Sequence, residues 1–204
     1  KNSIEVLRQP LEERKITISR LHGACEFPAD FMLVAAMNPC KCGYYPDRSR
    51  CTCTEPQIRQ YLSRISKPLL DRIDICAEAV PMKYEELKGR GEGEPSSAIR
   101  ERVEAARIIQ RQRLKDSGIY FNSAMNGAQI RAFCSLDQKE QAFLKRIFEH
   151  MGLSARGYGK ILKVARTIAD LAGSSEIKKE HLAEAAGLRG LEEKYWGGSH
   201  YDIT

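Results

Sequence analysis

The stretch Phe31-Met32-Leu33-Val34-Ala35-Ala36-Met37-Asn38-Pro39-Cys40-Lys41-Cys42 joins an apolar run to two closely spaced cysteines. The run has no polar position before Asn38, which is typical of a central parallel strand buried on both faces. Ligands of α/β proteins bind at the carboxyl ends of such strands. The stretch therefore predicts an α/β layer with a cysteine-rich loop at a strand tip.

A second cysteine pair, Cys51-Thr52-Cys53, completes a group of four thiols. Four thiolates are the number that a closed tetrahedral structural zinc site needs. Gly43, Pro46 and Asp47 lie between the pairs and allow the tight turn that would bring the pairs together. The alternative is that these are reduced thiols without a metal, and the one-residue spacing within each pair is less usual than Cys-x-x-Cys. The predicted zinc ligands are Cys40, Cys42, Cys51 and Cys53.

The other cysteines are isolated in the sequence, and the total of seven is odd. An odd number with a tight cluster favours a reducing compartment over a disulfide framework, so we expect a cytoplasmic protein. The three isolated residues are predicted to be buried small apolar side chains. They are Cys25, Cys76 and Cys134.

Composition and charge limit the classes of function and partner that the chain can have. The formal charge of +6 over 204 residues permits a polyanionic partner such as nucleic acid without requiring one. No apolar run reaches the roughly 18 residues of a membrane span, and the first residues lack the apolar block of a signal peptide. We therefore expect no membrane partner.

The pattern of the chain changes near Pro81. Before it, Lys15 to Phe27 alternates polar and apolar residues around Leu21-His22-Gly23, which predicts a β-hairpin, and residues 73–80 predict a further strand. After it, the pattern is helical, with caps at Asn126 and Ser154 and a capping box at Ser135. The fold class is thus α/β plus all-α. The predicted domains are 1–88 (α/β, with a cysteine-rich insertion at 40–53), a charged glycine-rich linker at 89–95, a helical domain at 96–190 and a tail at 191–204.

Several polar side chains are candidates for anion contacts. Asn38 could bind a phosphate oxygen, although asparagine at a strand end is more often a turn former. Arg72 is either a partner of Asp71 or Asp74, or an arginine presented to a neighbouring subunit's nucleotide. Arg156 lies at a helix N-terminus, where a positive charge is unfavourable unless an anion is near. Three basic residues of the cysteine loop suit phosphate contact or form an ordinary solvated surface: Lys41, Arg48 and Arg50.

Four motifs occur in an order that resembles the magnesium-chelatase-like AAA+ ATPases, and most closely their ComM (YifB) branch. They are Leu7-Arg8-Gln9-Pro10-Leu11-Glu12, then Ala35-Ala36-Met37-Asn38-Pro39-Cys40-Lys41-Cys42-Gly43, then Pro68-Leu69-Leu70-Asp71-Arg72-Ile73-Asp74, and finally Ala165-Arg166-Thr167-Ile168-Ala169-Asp170-Leu171.

This resemblance implies a partial AAA+ α/β core, with a sensor 1 strand, a hairpin and a zinc knuckle, followed by a helical lid domain. It implies that Asn38 is the sensor 1 asparagine, Arg72 an arginine finger acting in trans, and Arg156 the sensor 2 arginine, with Arg166 as second choice. The cysteine loop corresponds to a zinc-binding insertion, although Lys41 stands where a proline is more usual.

The sequence departs from the family in one large respect. It contains no Gly-x-x-x-x-Gly-Lys-[Ser/Thr] phosphate loop and no acidic strand-end pair to hold Mg²⁺. We therefore expect the chain to be the C-terminal part of a longer protein that binds ATP and Mg²⁺, and to be inactive alone.

The function that the resemblance implies is a hexameric motor that uses ATP to move along DNA and drive branch migration in natural transformation. Its hairpin would contact the DNA backbone through Lys15, Arg20 and His22. One alternative is a motor subunit that drives magnesium insertion into a porphyrin, although such subunits do not generally carry the cysteine insertion. Another is a non-enzymatic, zinc-stabilised interaction module whose arginines are structural.

Overall fold

The computed structural model of the chain describes residues 3–82, 84, 88 and 93–196. The chain divides into two compact units, Lys1–Ile73 with Glu192–Thr204, and Asp74–Leu191. The predicted linker and tail fall partly outside the described residues, so the predicted domain bounds stay predictions. Across the described ranges, no helix has both the length and the apolar character that a membrane crossing requires.

The first unit contains short helices and one hairpin. A 3₁₀ helix spans Ser3–Leu7 and continues into α1, Arg8–Glu13. Strands β1 and β2 follow, and after the cysteine loop come the helices α2 and α3. Their bounds are Lys15–Arg20 for β1, Gly23–Pro28 for β2, Glu55–Leu62 for α2 and Lys67–Leu70 for α3.

The predicted hairpin is confirmed. β1 and β2 pair antiparallel in a register that places Ile16 opposite Phe27 and Ile18 opposite Cys25. Arg14 leads into β1 with a φ of 55°, a left-handed conformation that ends α1, and its N–H donates to the Pro10 carbonyl at 3.0 Å. The hairpin therefore leaves α1 through a sharp turn, and a two-residue turn closes its tip.

The predicted strands at Phe31–Met37 and at 73–80 are not formed. In the part of the chain that the structure describes, the only sheet is the two-stranded β1–β2 pair. A strand exists only through hydrogen bonds to a neighbouring strand, and the described residues supply no neighbour to either segment. The apolar side chains of the first segment are consequently exposed, with Met32 at 86% and Val34 at 81%.

The second unit is helical, as predicted. Asn126 and Ser154 cap helices as expected, since their side chains accept from the N–H groups of Gln129 and Gly157. The predicted capping box at Ser135 is wrong, because that helix begins two residues later, after Asp137. The helices are α4, Ser96–Leu114; α5, Gly127–Phe133; α6, Gln138–His150; α7, Ala155–Leu171; α8, Lys179–Gly187; and α9, Gly190–Trp196, of which the last residues belong to the first unit.

Helix α7 forms the centre of the second unit. Its apolar face carries Ile161, Leu162 and Ala165, all buried against side chains from the helices around it. Burial of such side chains from water is the main source of stability of a helical domain. The remaining members of this core are Leu114, Met125, Cys134, Leu144, Ala169, Ile177, Leu182 and Ala185.

A buried charge network lies beside this core. The Asp170 carboxylate is fully buried and accepts two hydrogen bonds from the Arg113 guanidinium, at 2.7 and 2.6 Å. It also accepts from Asn122 Nδ2 at 2.9 Å and from Arg166 Nε at 3.1 Å. A buried carboxylate is stable only when it is paired and hydrogen-bonded in this way.

We expect Asp170→Asn to destabilise the second unit by about 3 kcal/mol or more, since two arginines would lose their buried counter-charge. Chemical unfolding followed by far-ultraviolet circular dichroism measures the change. Glu149→Gln is the matched control, because Glu149 pairs with Lys145 at 3.7 Å on the exposed face of α6 and should contribute less than about 1 kcal/mol. Equal losses in the two variants would show that the network does not stabilise the fold.

Candidate metal centre

The loop Cys40–Cys53, called the cysteine loop below, is folded by its own backbone. The Gly43 N–H donates to the Cys40 carbonyl at 3.2 Å, and the N–H of Cys51 to the Asp47 carbonyl at 2.8 Å. Gly43 has a φ of 84°, a left-handed conformation that favours glycine. The Asp47 carboxylate accepts from the N–H and the hydroxyl of Ser49 at 3.0 and 2.6 Å. These turns return the chain so that the two cysteine pairs face each other.

The four sulfur atoms converge. All lie within 4.8 Å of one another. Cys40 Sγ lies 3.3 Å from Cys42 Sγ and 3.8 Å from Cys51 Sγ, and Cys42 Sγ lies 3.5 Å from Cys51 Sγ. A regular tetrahedron with zinc–sulfur bonds of about 2.3 Å has sulfurs about 3.8 Å apart. Cys40, Cys42, Cys51 and Cys53 therefore fit one tetrahedral metal ion, and four thiolates suit zinc.

Backbone N–H groups point at these sulfurs and adjust their acidity. A hydrogen bond from the Tyr44 N–H is the main reason that the pKa of Cys42 falls to about 5. Burial acts to raise the pKa of Cys40, but N–H donors from Tyr45 and Gly43 outweigh it, and that pKa lies below its usual value. Burial raises the pKa of Cys51 to about 11. The loop thus stabilises part of the negative charge that a metal-binding thiolate set carries.

One side of the cysteine loop is closed by apolar and aromatic side chains. Cys40 is fully buried against Ile58 and Leu62 of α2. Four aromatic residues pack around them and are called the aromatic wall. Its members are Tyr45, Tyr61, Tyr195 and Trp196.

The last helix supplies half of the aromatic wall. The Trp196 indole N–H donates to the Leu62 carbonyl at 3.1 Å, and the rings of Tyr195 and Tyr45 meet edge to face with centroids 6.0 Å apart. These contacts cover the end of α2 beside Cys40. Nothing in the sequence pattern predicted them, because the tail had no periodicity that placed it beside the cysteines.

The basic residues of the cysteine loop have different surroundings. Arg48 forms an ion pair with Glu55 and lies 4.8 Å from the centre of the Tyr45 ring. Arg50 lies 4.1 Å from the centre of the Tyr44 ring. Lys41 is exposed. Two of the three cations are thus held over aromatic rings, which fixes their guanidinium groups at the surface.

The three hairpin residues predicted to contact nucleic acid also differ in their surroundings. Lys15 Nζ lies 2.7 Å from the Glu26 carboxylate, and this pairing raises the pKa of Lys15 and lowers that of Glu26. Arg20 and His22 flank Leu21 at the tip and are exposed.

The candidates outside these two groups lie in both units. In the first unit, Asn38 is exposed two residues before Cys40. Arg72 is mostly buried, pairs with Glu12 of α1 and donates to the Pro68 carbonyl at 2.6 Å. In the second unit, Arg156 is exposed in the first turn of α7.

Arg166 is the most deeply buried of the arginines that the sequence offers as site residues. Only 3% of it is exposed. It donates to the carbonyls of Ser174 and Ser175 at 2.6 and 2.8 Å, and to Asp170. Burial lowers the pKa of its guanidinium, against the influence of Asp170. The sequence did offer one signal for this pairing, since Arg166 and Asp170 are four residues apart on one helix.

The isolated cysteines are only partly as predicted. Cys134 is buried, and burial raises its pKa to about 11. Cys76 is half-buried. Cys25 is exposed, contrary to prediction, because it belongs to a face of the hairpin that no described residue covers.

Comparison with known proteins gives consistent matches along the chain. The family description "Magnesium chelatase, subunit ChlI" matches residues 1–87, and "Magnesium chelatase, subunit ChlI C-terminal" matches residues 93–189. The chain is 43% identical over 189 residues to competence protein ComM of Haemophilus influenzae. The aligned region covers 92% of this chain and 36% of that protein. It is 37% identical over 194 residues to the uncharacterized protein YifB of Escherichia coli, covering 94% of this chain and 37% of the relative. The chain thus spans little more than a third of the length of these relatives.

We predict about one zinc ion per chain, measured by elemental analysis of protein purified under reducing conditions without chelator. Cys42→Ser and Cys51→Ser should each abolish retention, because each removes one of four thiolates. Cys25→Ser is the matched control and should keep the metal, since Cys25 lies outside the group.

Trp196, the one tryptophan of the chain, gives a second readout of the same prediction. Loss of the metal should loosen the aromatic wall and shift tryptophan emission to longer wavelength. Metal content of zero in the unchanged protein would contradict the prediction, as would retention of zinc by Cys42→Ser.

Proposed function

The chain belongs to the magnesium chelatase subunit ChlI family, and from this membership we propose that it is the C-terminal part of an AAA+ ATPase that acts on DNA. The proposed whole protein is a hexameric motor that drives branch migration in natural transformation. The observation that carries the proposal is the 43% identity to a protein named for competence, along 92% of this chain.

The exposed cations support a contact with the DNA backbone. Among the described residues, no carboxylate lies within ion-pair distance of Arg20 at the hairpin tip or of Lys41 in the cysteine loop. A long polyanion gains most from cations that have no internal counter-charge to give up. Arg50, held over Tyr44, is a third exposed cation of the same loop, although the nearby Asp47 carboxylate already feels its charge. Lys15 and Arg48 have carboxylate partners. A zinc ion on the four cysteines would supply structural stiffness to the loop that presents Lys41 and Arg50.

Three side chains are proposed to sense or use the nucleotide. Asn38 would orient a water or a phosphate oxygen as sensor 1, and Arg156 would contact phosphate as sensor 2. Arg72 would reach a neighbouring subunit and neutralise charge that develops on the γ-phosphate. In the present structure Arg72 pairs with Glu12, so this role requires it to exchange one anionic partner for another. The phosphate loop and the Mg²⁺-binding carboxylates would come from the rest of the protein, so this chain alone would not hydrolyse ATP.

DNA binding by the full-length protein should weaken steeply with salt, with log K falling by about 0.9 per phosphate neutralised for each tenfold increase in salt. Arg20→Gln and Lys41→Gln should each flatten this slope by about one contact. Lys145→Gln, which removes an exposed charge from α6, is the matched control and should leave the slope unchanged. An affinity that ignores ionic strength would count decisively against the DNA contact.

Arg72→Ala in the full-length protein should lower ATP hydrolysis by about 10³-fold or more, because a finger arginine stabilises transition-state charge. Glu12→Gln breaks the same ion pair but leaves the arginine in place, so its hydrolysis rate should stay close to that of the unchanged protein. Circular dichroism and thermal unfolding of both variants show whether the fold persists.

Together, the two variants distinguish the hypothesis of a motor from that of a structural module. If both unfold or lose hydrolysis equally, the Arg72–Glu12 pair holds the fold and the arginine is structural. That outcome would favour the third possibility, a zinc-stabilised interaction module.

One other enzymatic function has a specific observation in its favour. The matching family descriptions name magnesium chelatase, which favours a motor that drives metal insertion into a porphyrin. The four-cysteine group argues against it, since chelatase motor subunits do not generally carry that insertion. Chelatase activity reconstituted with partner subunits decides between the two motors.

A further inference from the structure

The four cysteines of the candidate metal centre differ in how far solvent can reach them. Cys40 is fully buried, with none of its surface exposed, whereas Cys42, Cys51 and Cys53 are half-buried. A chelator removes a metal ion by taking the place of its protein ligands one after another. Replacement at Cys40 therefore requires the side chains that cover this residue to move away.

One contact of the last helix, α9, fixes the end of α2 beside Cys40. The Trp196 indole N–H donates to the Leu62 carbonyl at 3.1 Å, and the same carbonyl accepts from the Ile65 N–H at 3.1 Å. The last carbonyls of a helix have no partner within the helix and need donors from elsewhere. The Leu62 side chain belongs to the same buried group as Cys40. Trp196 thus attaches α9 to a residue that encloses a predicted metal ligand.

A second contact of α9 reaches a metal-ligand sulfur through a single residue. The Tyr45 backbone N–H donates to Cys40 Sγ, and the Tyr45 ring meets the Tyr195 ring edge to face at 6.0 Å. The rings of Tyr195 and Trp196 also meet edge to face, with centroids 6.1 Å apart. Edge-to-face pairs are favourable beyond the area that they bury. Tyr45 therefore joins the sulfur of Cys40, through its main chain, to the last helix, through its ring.

We propose that Tyr195 and Trp196 are positioning residues of the metal centre, which hold Tyr45 and the end of α2 against Cys40 and so slow the loss of the metal ion. This inference rests on the predicted metal centre and is independent of the proposed action on DNA. Groups that orient metal ligands without touching the metal typically account for about 10- to 100-fold in metal affinity. The effect is reciprocal, because packing of α9 and metal binding must favour each other by the same factor.

The test measures how fast the zinc-loaded full-length protein loses zinc to an excess of a chromophoric chelator, and how tightly it binds zinc in competition with that chelator. Trp196→Ala and Tyr195→Ala should each speed zinc loss and weaken zinc affinity by about 10- to 100-fold. Trp196→Phe keeps a ring but lacks the N–H, so its rate should lie between those of the unchanged protein and Trp196→Ala. Tyr120→Ala removes a ring that is 70% exposed in the second unit. It is the matched control and should change neither quantity.

A purely structural role for the two aromatic residues predicts a different result. The alanine variants would then unfold at a lower temperature, yet would hold zinc as tightly as the unchanged protein while folded, and this outcome would overturn the inference. Absence of zinc from the unchanged protein would overturn it as well. Far-ultraviolet circular dichroism shows whether each variant is folded. If an alanine variant does not fold, Trp196→Phe decides the test, and an unchanged rate of zinc loss in that variant would refute the proposed role of Trp196.

Discussion

The convergence of four sulfur atoms is the constraint on which the cysteine loop depends. The buried apolar residues around the cysteine loop are only Cys40, Ile58 and Leu62 among those described. A core of that size stabilises very little chain, and small units of this kind need a disulfide, a metal or a partner to hold their shape. The sulfur geometry supplies the metal option, since a dication bound by four thiolates crosslinks two turns that are otherwise held by a few backbone hydrogen bonds.

The second unit is stabilised by different means. It has a continuous apolar core around α7, and beside this core the Asp170 carboxylate receives donors from Arg113, Asn122 and Arg166. Burial of these charges is costly, but every one of them has a partner of opposite charge or a carbonyl. Such a network fixes the relative positions of α4, the 3₁₀ turn Asn122–Ala124 and α7 more narrowly than apolar packing would, because its hydrogen bonds have directions. Arg166 is therefore explained by the fold of this unit, which supports Arg156 as the better candidate for nucleotide contact.

The sequence predicted the local features of the structure and missed those that depend on distant residues. The hairpin follows from the alternation of Lys15 to Phe27, and the helix starts at Gly127 and Ala155 follow from caps at Asn126 and Ser154. The grouping of the four cysteines followed from their spacing. The predicted strand at Phe31–Met37 was wrong. An apolar run indicates that a segment is suited to a sheet, but it does not show that a neighbouring strand is present. The Asp170 network was missed because Arg113 lies 57 residues and Asn122 48 residues away along the chain, beyond any local pattern.

The return of the chain to the first unit has a consequence for synthesis on the ribosome. The hydrogen bond from Trp196 to Leu62 joins residues that are 134 positions apart, and the whole second unit is translated between them. At about 5 to 20 residues per second, that interval lasts about 7 to 27 s. During this time α2 and the cysteine loop have left the ribosome without Tyr195 and Trp196 against them. A metal ion held by the four thiols would thus have seconds in which to bind before the last helix packs beside Cys40, so the order of translation would favour loading first and enclosure afterwards.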